Sequence, residues 1–326
     1  MAVKIVFLDA ATLNMDGRIM MDRLFKLGDV TLYERTVEED VISRCENADI
    51  IIVNKVMISR EVIKACHTLK YIAVCATGVN NVDLFAARSR SIPVSNVAGY
   101  GTESVVQHTF SLILSLIHSV EKYTDKIRKG KWRESGDFCF YDHSVWELNG
   151  KTMGIVGYGH IGKRVAEVGA AFGMKVLAYK RSPETEIKPL ARLVPLDVLL
   201  SESDIVSLHA PLNDFSSHII NEESLSLMKK NALLINTARG GLIDEKALYR
   251  SLKDGRIGGA GLDTLSSEPP EDGHFLLQAP RCLITPHMAW TSVESRQNLI
   301  NGVCDNINSY LNGKALNVVN GTFSFG

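Results

Sequence analysis

The stretch "KTMGIVGYGHIGKRVAEVGAAFG" (151–173) restricts this chain more than any other. Thr152 to Val156 is an apolar run without alternation, as expected of a strand covered on both faces of a parallel sheet. It meets three glycines, Gly157, Gly159 and Gly162, in G-x-G-x-x-G spacing, and passes at once into a helical pattern. The three glycines serve different ends. Gly157 permits a tight turn, Gly159 lets the backbone approach a pyrophosphate, and Gly162 lets helix and strand pack closely. The N–H groups and positive dipole end of the helix then face the phosphate. A glycine pattern alone arises by chance, but the strand before it and the helix after it leave a purely structural turn as the lesser alternative. The expected dinucleotide contacts are Gly157, Tyr158, Gly159, His160, Ile161 and Gly162.

The same alternation of apolar runs and amphipathic stretches extends over all 326 residues, the pattern of an α/β chain with parallel sheets. The length exceeds one ordinary core, so two domains are expected. A first series of strands is predicted at 3–8, 30–33, 49–54 and 71–75, with Ser59 capping a helix between the last two. A mostly apolar helix follows from about Thr102 to Ser119, placed to cross between domains. The segment 132–152 is aromatic and irregular, suited to a functional loop or a subunit contact. A second series continues from the glycine turn through 174–179, 204–209, 232–236, 258–263 and 282–287. The final amphipathic segment, from Ser292 to Gly313, needs a partner, which the first domain would supply.

A net charge of −1 without a basic stripe disfavours nucleic acid, and no apolar run approaches membrane-spanning length. Six scattered cysteines without a C-x-x-C pair argue against a metal site and for a reducing compartment, hence the cytoplasm.

Four ionisable groups follow strands of the second series. In "LLINTARGGLIDEKAL" an arginine, Arg239, ends a core strand before Gly240 and Gly241. Arginine is expensive to desolvate, so it either snorkels to the surface or grips an anion in a cleft, with the glycines leaving room for a ligand. "AGLDTLSSEPP" supplies Asp263 and Glu268, and "LITPHMAW" supplies His287. Singly, a strand-end His or a pre-proline Glu is more often structural. Together they occupy the carboxyl edge of the sheet that holds the dinucleotide, where open α/β sheets bind ligands. Hydride transfer to a ketone leaves charge on oxygen. A histidine supplies the proton, a carboxylate on its other nitrogen favours the protonated ring, and an arginine fork holds a substrate carboxylate. His287, Glu268 and Arg239 fit these roles.

The position after the next strand, where an acid would bind the ribose hydroxyl of NAD, carries Lys180, Arg181 and Ser182. Two cations there suit a 2′-phosphate, so NADP or dual use competes evenly with NAD held by other contacts.

With "GYGHIG", "LHAPL", "INTARGGLIDE", "GAGLDTLSSEPP" and "ITPHMAW" in that order, the chain resembles the D-2-hydroxyacid dehydrogenases over essentially its whole length. The resemblance implies two doubly wound parallel-sheet domains: a Rossmann dinucleotide-binding domain at 102–289, and a flavodoxin-like substrate domain of 1–101 with 290–326. It implies Arg239, Glu268 and His287 as the catalytic set, and Asp263 at the nicotinamide amide. It adds Thr102, His209, Ala210, Pro211, Thr237 and Ala238 at the cofactor, and Asn54, Ala76, Thr77 and Gly78 at the substrate. Among members, "VNK", "ATGVNNVD", "DFCFYD" and the tryptophan after "PHMA" look most like glycerate dehydrogenases, also called hydroxypyruvate reductases. Lys180 and Asn81 depart from the family pattern. A homodimer acting on a small 2-oxo or 2-hydroxy acid is implied. The alternatives are a corepressor-like dinucleotide-sensing protein and a formate- or phosphite-type dehydrogenase.

Overall fold

Mostly apolar runs such as Ile50–Val53 and Leu233–Asn236 become strands buried along their full length. In this computed structural model residues 2–181, 190–314 and 316–323 are described. They fall into two compact units, Met1–Gly101 with Trp290–Gly326, and Thr102–Ala289.

The first unit holds a parallel sheet of β1 (Lys4–Phe7), β2 (Asp29–Leu32), β3 (Ile50–Val53), β4 (Tyr71–Val74) and β5 (Val94–Ser95) in the order β2-β1-β3-β4-β5. This is the flavodoxin-like order, and its direction of progression reverses between β1 and β3. The helix Val293–Leu311 finds its partner here: Leu299, Ile300, Val303 and Ile307 join Ile5, Phe7, Ile50 and Tyr71 in one core cluster. Ser59 caps the helix Arg60–Ala65 by accepting from Val62 N.

The second unit holds β6 (Thr152–Val156), β7 (Lys175–Tyr179), β8 (Arg192–Leu193), β9 (Ile205–Leu208), β10 (Leu233–Asn236), β11 (Gly259–Leu262) and β12 (Cys282–Ile284). Their order, β12-β11-β10-β9-β6-β7-β8, is the Rossmann arrangement with one added strand, and the reversal lies between β6 and β9. The glycines of β11 have a packing cause. A Cβ on Gly261 would lie 3.0 Å from Leu112 Cβ, and one on Gly259 3.4 Å from Leu116 Cδ2, so they admit the helix Thr102–His118 onto the sheet.

The aromatic segment is less irregular than its sequence suggests. It opens as a short helix, Lys131–Ser135, after the helix Val120–Arg128. Asp142 then pairs with Lys126 and Lys131, while Phe138 and Tyr141 remain 91% and 79% exposed.

Candidate active site

The glycine turn lies at the β6/β9 reversal, and its three glycines meet different surroundings. Gly157 has φ +99°, and a Cβ there would sit 2.5 Å from Ala210 N and 2.6 Å from the His209 carbonyl carbon. A Cβ on Gly162 would stand 2.2 Å from Gly157 O, so helix and turn touch backbone to backbone. One on Gly159 would meet nothing within 4 Å. Gly159 caps the helix His160–Ala171 without a side chain, and the first helical turn carries no acid. The helix N-terminus is therefore open to an anion, and these residues fit a dinucleotide pyrophosphate.

Several side chains expected at the cofactor point elsewhere. The Tyr158 side chain is buried in the core cluster with Met153 and Val165. Thr237 is buried and its Oγ1 lies 3.1 Å from Thr109 Oγ1. The His209 ring makes a 2.8 Å hydrogen bond to Ser207 Oγ, and desolvation lowers its pKa to about 3, so it stays neutral. His160 and Pro211 are exposed, and Ile161, Ala210, Ala238 and Thr102 are half-buried. Lys180 is half-buried after β7, and Arg181 is exposed, its guanidinium 4.7 Å from the Phe215 ring centroid. Ser182 lies outside the described residues.

Arg239, Asp263 and the segment to His287 leave β10, β11 and β12, three neighbouring strands. Buried Asn236 shapes the first exit, donating to Arg239 O at 2.9 Å and accepting from Ala238 N at 3.0 Å. Arg239 is half-buried, and its Nη1 donates to Ala238 O at 2.7 Å. The glycines beside it do not leave room for a ligand. A Cβ on Gly240 would fall 1.9 Å from the Leu265 carbonyl carbon, and one on Gly241 2.9 Å from Leu212 Cδ2. Gly240 is there so that the Arg239 segment can lie against the turn that leads to Glu268.

His287 Nδ1 donates to Glu268 Oε2 at 2.6 Å, with both side chains partly exposed. Glu268 Oε1 also accepts from Leu265 N at 3.0 Å. His287 has φ +51°, a left-handed conformation held by the loop around it. Asp263 is what holds that loop. Its Oδ1 accepts from Thr285 Oγ1 at 2.6 Å and Met288 N at 2.9 Å, and its Oδ2 from Ala289 N at 2.8 Å. His108 Nε2 stands 2.9 Å from Thr285 Oγ1. Burial raises the Asp263 pKa, but hydrogen bonds from His108, Thr285, Ala289 and Met288 outweigh it and leave the pKa lowered. The Asp263 side chain is fully out of solvent, and these bonds make it the anchor of the His287 loop.

In the first unit, Asn54 is also buried, its Nδ2 donating to Thr12 Oγ1 at 2.9 Å. Asp9, which follows β1, accepts from Asn54 N, Lys55 N and Val56 N at 2.9, 2.6 and 3.1 Å. Asn81 donates to the carbonyls of Asn54 and Val56 and holds the same loop from its other side. Past β4, the backbone N–H groups of Ala76, Thr77 and Gly78 meet no acceptor among the described residues. Sequence reading missed Asp9, although an acid at the end of a strand, one residue past an apolar run, is the signal that singled out Arg239. It also missed Asn236, whose partners are local, and His108 and Glu245, whose partners are remote in sequence.

A Rossmann sheet with an anion-ready helix N-terminus at its reversal, and an arginine and a Glu–His pair at its carboxyl edge, defines a nicotinamide-dependent oxidoreductase. Residues 110–289 match the family model described as "D-isomer specific 2-hydroxyacid dehydrogenase, NAD binding domain". The chain is 41% identical to a hydroxypyruvate reductase of Blautia hydrogenotrophica, over 98% of this chain and 100% of that protein. It is 40% identical to a glycerate dehydrogenase of Methylorubrum extorquens, over 98% and 99%. Among solved structures, D-lactate dehydrogenase from Aquifex aeolicus complexed with NAD and lactic acid superposes with TM-score 0.85 at 30% identity, covering 98% of this chain and 100% of that one. An acyclic imino acid reductase in complex with NADPH and D-Arg gives 0.86 at 34%, covering 97% and 100%. This chain belongs to the D-isomer specific 2-hydroxyacid dehydrogenase family.

Proposed function

We propose that the enzyme interconverts hydroxypyruvate and D-glycerate, with glyoxylate as a second 2-oxoacid, in the cytoplasm. The 2.6 Å Nδ1–carboxylate bond of His287 and Glu268 carries this reading, because it fixes the ring with Nε2 as the working nitrogen. A bound nicotinamide supplies or takes the hydride. His287 gives the proton to the nascent alkoxide or removes it in the reverse direction, Glu268 stabilises the protonated ring, and Arg239 grips the substrate carboxylate. In the first unit, Ala76, Thr77 and Gly78, whose N–H groups meet no acceptor among the described residues, suit a carboxylate as backbone donors. The names of the relatives with 41% and 40% identity support the three-carbon hydroxyacid. All six cysteines are unpaired, which supports a reducing compartment. No described helix is long and apolar enough to cross a membrane. The exposed Phe138, Tyr141 and Trp132 support a homodimer, which light scattering would register.

A panel of 2-oxoacids assayed at the nicotinamide absorbance, with each cofactor in turn, tests the assignment. Hydroxypyruvate is expected to give the highest kcat/KM; another acid in first place would replace it, and no turnover with any would leave a dinucleotide-binding protein. Arg239→Lys is expected to lose about 10–100-fold in kcat/KM, since a point ammonium cannot reproduce a bidentate fork worth ~1.5–3 kcal/mol. Normal efficiency in that variant would remove Arg239 from the anchor role.

Lys180 and Arg181 are assigned to a 2′-phosphate. The unmodified enzyme is then expected to use NADPH at least as well as NADH. Lys180→Asp with Arg181→Ser should favour NADH by about tenfold or more, because an acid accepts from the ribose hydroxyl and repels phosphate. A strong NADH preference in the unmodified enzyme sinks this assignment.

A further inference from the structure

We propose that Glu245 is a positioning residue for the proton-transfer pair, holding the turn that presents Glu268 to His287; this rests on the catalytic roles proposed above. Glu245 opens the helix Glu245–Lys253, whose N-cap, Asp244, already accepts from Lys246 N and Ala247 N. The Glu245 carboxylate is therefore not needed as a cap. It turns to the loop after β11 instead. Its Oε1 accepts from Ser266 N and its Oε2 from Ser266 Oγ, both at 2.7 Å, and its side chain is only 10% exposed. Ser266 precedes Glu268 by two residues, and Glu268 returns a hydrogen bond to the same turn at Leu265 N, 3.0 Å. The carboxylate on the helix thus fixes one end of a short turn, and the other end carries the carboxylate that touches His287.

A third group shows that the site is built around Glu245. His274 Nε2 lies 3.3 Å from Glu245 Oε2, and the ring stacks on Phe275 with centroids 4.6 Å apart. His274 Nδ1 is buried and has no partner among the described residues. Gly240 closes the turn from the opposite side, leaving no space for a Cβ against the Leu265–Ser266 backbone. The turn is clamped between the Arg239 segment and Glu245, and the position of Glu268 follows from both.

Glu245 faces His274, and Glu268 faces His287. On the far side of the His287 loop stand Asp263 and His108. Glu268 meets His287 at its Nδ1, so a displaced turn changes the charge that the ring faces, and the pH profile of kcat/KM reads that change.

The experiment compares pH profiles of hydroxypyruvate reduction in Glu245→Gln, Ser266→Ala, Glu268→Gln, His287→Ala and the double variant Glu245→Gln/Glu268→Gln. NADH affinity is followed in parallel by fluorescence titration. Glu245→Gln is expected to reduce kcat/KM about tenfold and to move the alkaline limb toward that of Glu268→Gln, with NADH affinity within about twofold. Ser266→Ala leaves every charge in place and is expected to move the limb in the same direction by less. It also serves if Glu245→Gln does not fold. In the double variant the limb is expected to stay where Glu268→Gln alone puts it. An unmoved limb in both Glu245→Gln and Ser266→Ala overturns the proposal, as does a further displacement in the double variant, which would mean that Glu245 acts through space. Near-normal reduction by His287→Ala would instead sink the catalytic reading, leaving the two failures distinguishable.

Discussion

Replacing His287 with alanine is expected to lower turnover of the 2-oxoacid by about 10²–10⁴, the usual scale for a lost general acid. Dinucleotide affinity should survive, because the glycine turn lies between β6 and the helix His160–Ala171, at the β6/β9 reversal, whereas the His287 loop follows β12. The alanine effect has two sources that need separating. One is the lost proton; the other is backbone conformation, since His287 sits at φ +51°, where alanine is less at ease. Asn tolerates that region well and keeps a donor for Glu268, but it does not titrate. His287→Asn should therefore be as slow as His287→Ala while melting close to the unmodified enzyme. Steady-state rates with saturating cofactor, and thermal melts of both variants, check this. Turnover within tenfold of the original in the Asn variant would mean that the proton comes from elsewhere.

The strands that carry this chemistry were legible because they are buried on both faces. Ile50–Val53, Ile205–Leu208 and Leu233–Asn236 appear in the sequence as mostly apolar runs, and their charged exits stand out against them. The two-residue strands Val94–Ser95 and Arg192–Leu193 are too short to make a run, and they join only because a neighbouring strand pairs with them. Residue types at the strand ends were readable; the direction of each side chain was not. Asp263 and Glu268 look alike in "GLDTLSSEPP", yet the first is enclosed by Thr285, Met288 and Ala289 while the second reaches His287. That division depends on how the β12 exit folds over the β11 exit, which no local pattern encodes. Asp9, Glu245 and His108 belong to the same class, since their roles come from partners between 21 and 177 residues away.

The glycine at 240 gives the sharpest test of that packing. In Gly240→Ala the new methyl carbon would lie 1.9 Å from the Leu265 carbonyl carbon, 2.1 Å from its oxygen and 2.3 Å from Ser266 N. All three are backbone atoms, so no side chain can swing aside, and either the Arg239 segment or the Leu265–Ser266 turn must move. Overpacking of this kind costs about 1–3 kcal/mol or more, and the thermal midpoint should fall by several degrees. The catalytic effect should be larger than the loss of stability. The displaced turn gives Glu268 Oε1 its donor, Leu265 N, and a misplacement of about 1 Å at a reacting group costs about 10²-fold in rate. Gly241→Ala is the control. The atoms nearest its methyl would be Leu212 Cδ2, Cδ1 and Cγ, at 2.9, 3.2 and 3.7 Å, all on one side chain 39% exposed and able to turn away. It should melt and turn over nearly as the original does. Had both glycines made room for a ligand, both variants would raise KM and leave the melt unchanged. Matching behaviour of the two alanine variants therefore overturns the packing account, and an unstable, slow Gly240→Ala beside a normal Gly241→Ala is the outcome that the contact at Leu265 requires.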